Sequence, residues 1–454
     1  MIWLFILIYL GVQVFIGVWI SRRIKSEKDF FLGGRQLSLL MVSFSLFATW
    51  FGAETCIGSS AAVYERGLSG SRADPFGFTI CLFLMGLLLA SRLRGRKYVT
   101  LADHFRERYG PSVEKFAIWI MVPSSLFWAA AQLRAFGQII SFASALPVTM
   151  AITLSALFVI VYTYLGGLLG DIYTDLIQGV IMAVGLITLI VLFVREAPNL
   201  GQLLGSLDTT RWSFTGLQES LLARLDRWMV PILGSLTAQE ALSRVLAARS
   251  VRIARDASFV ACGVYLIIGA IPVFLGLVGP CVLPDLPNPE QFLVTVAHGI
   301  LPKIVFVVFI GALISTILST IDSILIAISA LISHNLLVPG LGIKDAKRQV
   351  LSARLIVILA GFVSYLMAIT SKGILSLVIT ASSFGTAGIL VITLMGLYTR
   401  MGGQKSANMA LLGGLLVWPL SEYVFKLEAP YLASVAAAAF LFFLGSRGKH
   451  SFGE

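Results

Sequence analysis

Charge is what this 454-residue chain has least of: 13% of it is Asp, Glu, Lys or Arg, against roughly 25% in an average soluble domain. No stretch is both long and polar enough to form a separate soluble domain, so one integral unit over 1–454 is expected. Cysteine is also scarce. Cys56, Cys81, Cys262 and Cys281 show no CxxC spacing, which excludes zinc ribbons and thioredoxin-like centres. The four histidines, His104, His298, His334 and His450, are scattered. HExxH, nucleophile-elbow and Walker patterns are all missing, so the chain is not expected to be an enzyme. What fills the sequence instead is apolar: 57% of residues are hydrophobic. Runs near 20 residues recur along its whole length, each long enough to cross a hydrocarbon layer of about 30 Å. Only helices satisfy their own backbone in such runs, so the expectation is an all-α integral membrane protein.

The net charge of +11 does not point to nucleic acid, because the basic residues cluster in alternate short loops rather than on one continuous face. Arg22, Arg23, Lys25, Lys28 and Arg35 follow the first run. Arg92, Arg94, Arg96, Lys97, Arg106 and Arg108 follow the third, and Arg249, Arg252 and Arg255 the seventh. Counting in this way gives about thirteen spans. They fall at 2–20, 38–63, 74–92, 115–143, 147–165, 171–194, 227–246, 256–279, 302–333, 352–370, 373–397, 405–423 and 429–446. The N-terminus is then outside, and Arg447 and Lys449 place the C-terminus in the cytoplasm. The first run has no basic n-region and reads as a retained span rather than a signal peptide. A tight turn is expected at Gly166-Gly167. The outer connection 195–226 fits the rule least well, since it carries Arg195, Arg211 and Arg224.

One stretch, Gly311 to Asn335, combines spanning length with a polar stripe. Thr316, Ser319, Thr320 and Ser323 stand at i, i+3, i+4 and i+7, one face of a helix, with Asp322 beside them. A carboxylate at mid-bilayer costs roughly 3 kcal/mol on insertion scales, so it is paired or faces a polar site. Hydroxyls with a carboxylate are hard oxygen ligands, suited to a small hard cation. The second span is irregular: Ala48-Thr49-Trp50-Phe51-Gly52-Ala53-Glu54 places a glycine and a carboxylate in mid-span. The seventh carries Pro231 and Gly234-Ser235. Two interrupted spans, each opening a five-span unit (38–194 and 227–397), fit inverted repeats with a site at the midplane. The runs at 2–20, 405–423 and 429–446 would flank them.

Several motifs resemble the sodium/solute symporter family, which holds sodium–glucose, proline, sialic acid and choline transporters. They are FFLGGRQLSLL at 30–40, ATWFGAETCIG at 48–58, YVTLADHFRERYG at 98–110, YTYLGGLLGDIYTDLIQG at 162–179, RVLAARS at 244–250 and STIDS at 319–323. The resemblance implies a LeuT-type fold of two inverted five-helix repeats with flanking helices. It also implies a sodium site built from the carbonyls of Ala48 and Phe51 with Thr316, Ser319 and Thr320. Some members hold a second sodium, for which Asp175, Ser323 and Asp322 are the matching residues; a structural ion pair at Asp175 is the rival reading.

The local wording is similar to the choline-transporter branch. Trp50, Trp128 and Phe78 match that branch's aromatic walls, and a cation over a Trp face gains about 0.5–2 kcal/mol. The aromatic of the seventh span is replaced by Ala238, and Glu54 replaces a glycine. Glu54, Thr55 and Gln132 are further candidate solute contacts. Arg134 is the candidate for a carboxylate solute or for pairing with Glu54. The expectation is a sodium-coupled symporter importing a small organic solute, choline-like or another cationic amine, through a bacterial inner membrane. Three alternatives stay open: an amino-acid or carboxylate symporter, a solute-sensing receptor, and proton coupling in place of sodium.

Overall fold

Long apolar runs adopt the one backbone form that satisfies itself in lipid, and the computed structural model of the chain is accordingly helical. It describes residue 11 and residues 27–446, apart from 53, 145, 197–199, 217, 218 and 372. Among the described residues there is no β-strand. The expected first span, but for Gly11, lies outside them, as do Arg447 and Lys449.

The first half of the chain supplies α1 (Leu39–Trp50), α2 (Ser60–Arg66), α3 (Phe78–Leu84), α4 (Leu101–Tyr109), α5 (Pro111–Ser144) and α6 (Val148–Glu196). The second supplies α7 (Leu221–Met229), α8 (Gln239–Ala247), α9 (Val251–Val282), α10 (Lys303–Ser329), α11 (Ala346–Thr370), α12 (Ile374–Ser383) and α13 (Thr386–Tyr398). A flanking pair, α14 (Gln404–Pro419) and α15 (Pro430–Ser446), packs mainly on itself and on α13.

The hydroxyl-bearing stretch is the central helix. Every residue of α10 from Phe309 to Ser329 is buried, as befits a helix with no polar face for water. It packs against α1, α5, α6, α8 and α11. The second span breaks as expected. Ser38 caps α1, its side chain accepting from the Met41 N–H, and the helix stops at Phe51 (φ −81°, ψ 64°). There the Gly52 N–H turns to the Trp50 carbonyl, and a wide helical turn, Glu54–Ser59, restarts the path toward α2. The seventh span breaks too. After α7 comes a wide turn over Val230–Gly234 that includes Pro231, then non-helical Ser235–Ala238, then α8. Gly234 is essential to this crossing, since a Cβ there would lie 1.9 Å from the Ser382 carbonyl oxygen.

The motif YVTLADHFRERYG is a latch. The Asp103 carboxylate accepts the Val99 and Thr100 backbone N–H groups at 2.7 and 3.0 Å, fixing the start of α4. It also accepts from Asn335, which donates to Glu114 as well, so α4 and α5 are tied to the extension of α10.

Two expectations meet differences. The helical backbone runs through Gly166-Gly167 rather than leaving the helix there, giving the 49-residue α6. Thr163 and Asp175 would sit about 18 Å apart on a straight helix, yet both reach one turn of α10, so α6 bends between them. Six described helices are long and apolar enough to cross a membrane, or seven if the bent pair α12–α13 counts as one span. Thirteen is not reached by that measure. The interrupted spans divide into short helices, and 54–95 counts as a single element.

Candidate functional site

The break in the second span frees backbone oxygen. In an unbroken helix the Gly52 N–H would bond the Ala48 carbonyl; here it bonds Trp50. The Ala48 carbonyl instead faces α10, where the Thr320 hydroxyl donates to it at 3.4 Å and to Thr316 O at 3.0 Å. Of the five residues expected to hold sodium, Ala48 and Thr320 meet across the break, with Thr316 O on the same hydroxyl, while the Ser319 hydroxyl turns to Asp175. The donor set is carbonyl and hydroxyl oxygen, which fits a hard monovalent cation.

The second cluster adjoins the first, sharing Ser319 and extending to Asp322 and Ser323 on α10. Asp175 accepts from Ser319 and from Ser45, and Thr163 donates to Asp322. Arg244, fully buried in α8, enters this cluster. Its guanidinium lies 3.7 Å from Asp175, donates to Ser323 and to Ser45 (3.3 Å), and bonds the Glu240 carbonyl at 2.9 Å. Sequence reasoning quoted Arg244 inside RVLAARS without giving it a role. The only available signal was an arginine within an apolar span, which demands a buried partner.

Five of the seven candidate solute residues, Trp50, Glu54, Phe78, Trp128 and Gln132, converge on the other side of the break. Trp50, Phe78 and Trp128 form one aromatic cluster. Ring centroids are 5.4 Å apart for Trp50–Phe78, 5.9 Å for Trp50–Trp128 and 5.8 Å for Phe78–Trp128, the last two stacked. Glu54 accepts from Trp128 Nε1 at 3.1 Å and from Gln132 Nε2 at 3.0 Å. Thr55 belongs to a different set: it bonds Asp74 and Tyr265 at 2.8 Å each, and Tyr265 also donates to the Trp50 carbonyl at 3.2 Å. Asp74 and Tyr265 were not foreseen, because nothing in their local sequence separates them from ordinary helix residues.

Arg134 is not in the cluster, which corrects the expectation of a Glu54 pair. It donates to Ser371 O at 3.1 Å. Helix register explains this: at 3.6 residues per turn Gln132 falls near the Trp128 face, while Arg134 lies about 240° round from Trp128. The centre is strongly acidic. Glu54, Asp74, Asp175, Glu240 and Asp322 are all buried, and the buried Arg244 stands 3.7 Å from one of them, Asp175. A cavity of about 1400 Å³ lies elsewhere, at residues 400–412 on the flanking helices, and touches neither break.

Two interrupted helices around a buried helix, with oxygen ligands at one break, define the fold class of the LeuT-type transporters. A solved Na+-coupled sialic acid symporter has the same fold, with a TM-score of 0.81 over 100% of this chain and 98% of that one at 17% identity. Mhp1, a nucleobase-cation-symport-1 family transporter, matches at a TM-score of 0.62, with 95% and 97% covered and 14% identity. The chain belongs to the sodium:solute symporter family, whose family model matches residues 30–414. It is 27% identical to the high-affinity choline transporter 1 of Caenorhabditis elegans, over 80% of this chain and 67% of that protein. The Homo sapiens high affinity choline transporter 1 is also 27% identical, over 73% and 61%. The Escherichia coli sodium/pantothenate symporter is 24% identical over 97% and 95%. The chain thus spans about three fifths to two thirds of the choline transporters it matches and nearly all of the pantothenate symporter. These relatives are transporters, not enzymes.

Proposed function

We propose that the chain is a sodium-coupled symporter that imports a small organic cation by alternating access. The observation that carries this is the position of Gly52. A Cβ on it would lie 2.8 Å from Thr320 Oγ1 and 3.0 Å from Gln132 Oε1. One glycine at the break therefore separates the sodium ligands from the solute cluster. Sodium held by Ala48, Phe51, Thr316, Ser319 and Thr320 draws the unwound segment onto α10. That fixes Trp50 and Glu54 for the solute, and the two five-span units, 38–194 and 227–397, then move against each other. Each charge carried inward gains about 2.3 kcal/mol per 100 mV.

Glu54 and three aromatic rings favour a cation over a carboxylate, and Arg134, directed at Ser371, leaves the cluster without a free guanidinium. The pantothenate relative keeps the carboxylate reading as the second one. A receptor that binds without moving solute is the third. Thermal-shift titration of purified protein against amines, amino acids, sugars and carboxylates, with sodium and with potassium, tests the proposal. An amine whose stabilisation requires sodium supports it; a carboxylate as the sole sodium-dependent ligand overturns it. The orientation proposed, N-terminus outside and C-terminus cytoplasmic in a bacterial inner membrane, places 92–108 inside and 200–220 outside. Single-cysteine labelling from the same side at both would refute it.

A further inference from the structure

The cavity of about 1400 Å³ on the flanking helices has no part in the sodium or solute clusters. It opens where the start of α5, the connection 399–403, the start of α14 and the end of α15 come together. Its lining is zoned. Arg400, Gln404, Lys405 and Asn408 supply the polar part, and Phe116, Met409 and Leu412 the apolar part. Among the described residues no acid lines it. Glu114, between the lining residues Ser112 and Phe116, is buried and accepts from Asn335. Arg400 and Lys405 are exposed, and neither has a hydrogen bond or ion pair to a described residue. Asn408 donates to Ser112 Oγ at 3.4 Å, and its own Oδ1 is buried without a partner.

The zones are ordered along α14. Leu412 stands eight residues beyond Gln404, so the lining reaches about 12 Å down the helix. Leu412 and Leu416 share a face at i and i+4, and each is 48% exposed. An apolar track therefore leads away from the basic mouth. Arg108 donates to Met401 O at 2.8 Å and to Gly402 O at 3.3 Å. The mouth thus opens on the side of the basic cluster 92–108, proposed above as cytoplasmic, where the leaflet is rich in anionic lipid. A water-soluble anion has no use for an apolar floor. A phospholipid has the same two zones as the cavity, phosphate first and hydrocarbon below. The sequence after Ser446 begins with Arg447 and Lys449, of the same sign as Arg400 and Lys405, so charge selects an anion over that segment as the occupant.

We propose that this cavity holds an anionic phospholipid of the phosphatidylglycerol type. Arg400 and Lys405 flank its phosphate, a headgroup hydroxyl donates to Asn408 Oδ1, and acyl chain runs along Leu412 and Leu416. The lipid joins the flanking pair α14–α15 to the start of α5. The proposal is independent of which solute is carried, and it uses the orientation only to name the leaflet that supplies the lipid.

The test titrates the full chain in detergent with palmitoyl-oleoyl phosphatidylglycerol or phosphatidylcholine, bound lipid being counted by native mass spectrometry. The wild type is expected to hold one phosphatidylglycerol at least about tenfold more tightly than phosphatidylcholine, since each basic side chain near the phosphate is worth a factor of roughly five. Arg400→Gln combined with Lys405→Gln is expected to bring the two lipids within about twofold of each other. Arg249→Gln with Arg252→Gln removes the same charge from exposed positions outside the cavity and is expected to keep the preference. Leu412→Asn is expected to weaken both lipids. Melting temperatures check that the variants fold; should the Arg400/Lys405 double variant fail to, Arg400→Gln alone is expected to cut the preference about fivefold. Glycerol phosphate, which carries the anion without acyl chains, is expected not to displace the lipid. Equal affinity of the wild type for both lipids overturns the proposal. Equal loss of preference in the Arg249/Arg252 variant overturns it too, by making the effect one of overall charge. Displacement by glycerol phosphate at the lipid's own concentration would assign the cavity to a soluble phosphate instead.

Discussion

Thr320→Val is the sharpest test of the sodium site. Valine has nearly the shape of threonine, so the packing of α10 is preserved and no void opens. What disappears is one oxygen. In the structure that oxygen lies 3.4 Å from Ala48 O and 3.0 Å from Thr316 O, wholly buried. A bond between a neutral group and a charge is worth about 1.5–3 kcal/mol, and each 1.4 kcal/mol is a factor of about ten. The half-saturating sodium concentration should therefore rise roughly 10- to 100-fold. Sodium titration by melting temperature reads binding directly, and the sodium dependence of uptake reads it in the working protein. Ser319→Ala combined with Thr320→Ala should weaken sodium further, though not by the sum of two independent losses, because the residues are neighbours. A Thr320→Val protein that folds and keeps the wild-type sodium dependence would refute the placement of the ion at this break.

Three further outcomes are expected. Asp175→Asn removes the carboxylate beside Arg244 and leaves a buried guanidinium short of its partner. The melting temperature should fall by the equivalent of about 3–5 kcal/mol, whereas a stable variant that has lost one sodium per turnover would assign Asp175 to a second ion. Trp50→Phe should weaken a cationic solute less than Trp50→Leu, since phenylalanine keeps a ring face and leucine has none; equal losses in a binding assay would remove Trp50 from the cation's surroundings. Burial of the His104 ring pushes its pKa down to about 4, and neither ring nitrogen has a partner. Between its ordinary value of about 6.5 and 4 the unfolded chain binds a proton that the folded one refuses, so stability is complete above that window and is lost as pH falls through it. At pH 5 the loss is about 2 kcal/mol, and His104→Phe should flatten the acid limb of a melting-temperature profile. Unchanged acid sensitivity in that variant would remove His104 as its cause.

The readable parts of the site were those set by spacing within one element. The hydroxyls at 316, 319, 320 and 323 share a face by helical arithmetic, and the structure buries that face. Gly52 and Glu54 announced a break because lipid tolerates unwound backbone only around a cavity. Trp50, Phe78 and Trp128 were paired by resemblance and do meet. Arg134 was misplaced although its register was available: it lies two residues beyond Gln132, so the two cannot share a face. Contacts between distant elements stayed hidden. Asp175 and Arg244 are 69 positions apart, and Tyr265 reaches Asp74 from α9 across 191. No periodicity encodes such pairs, because they depend on how whole helices cross.

Arg244 also bears on how the protein is made. Every residue of α8 is buried, and neither α7 nor α8 is among the described helices apolar enough to span a membrane unaided. An arginine in mid-span costs about 2.5–3.5 kcal/mol on insertion scales, so this segment is a poor candidate for entering lipid alone. Its partners Ser45 and Asp175 belong to α1 and α6, which leave the ribosome earlier, while Ser323 arrives later on α10. The arginine is therefore accommodated in the membrane only together with partners drawn from both halves of the chain, so that neither half is complete without the other.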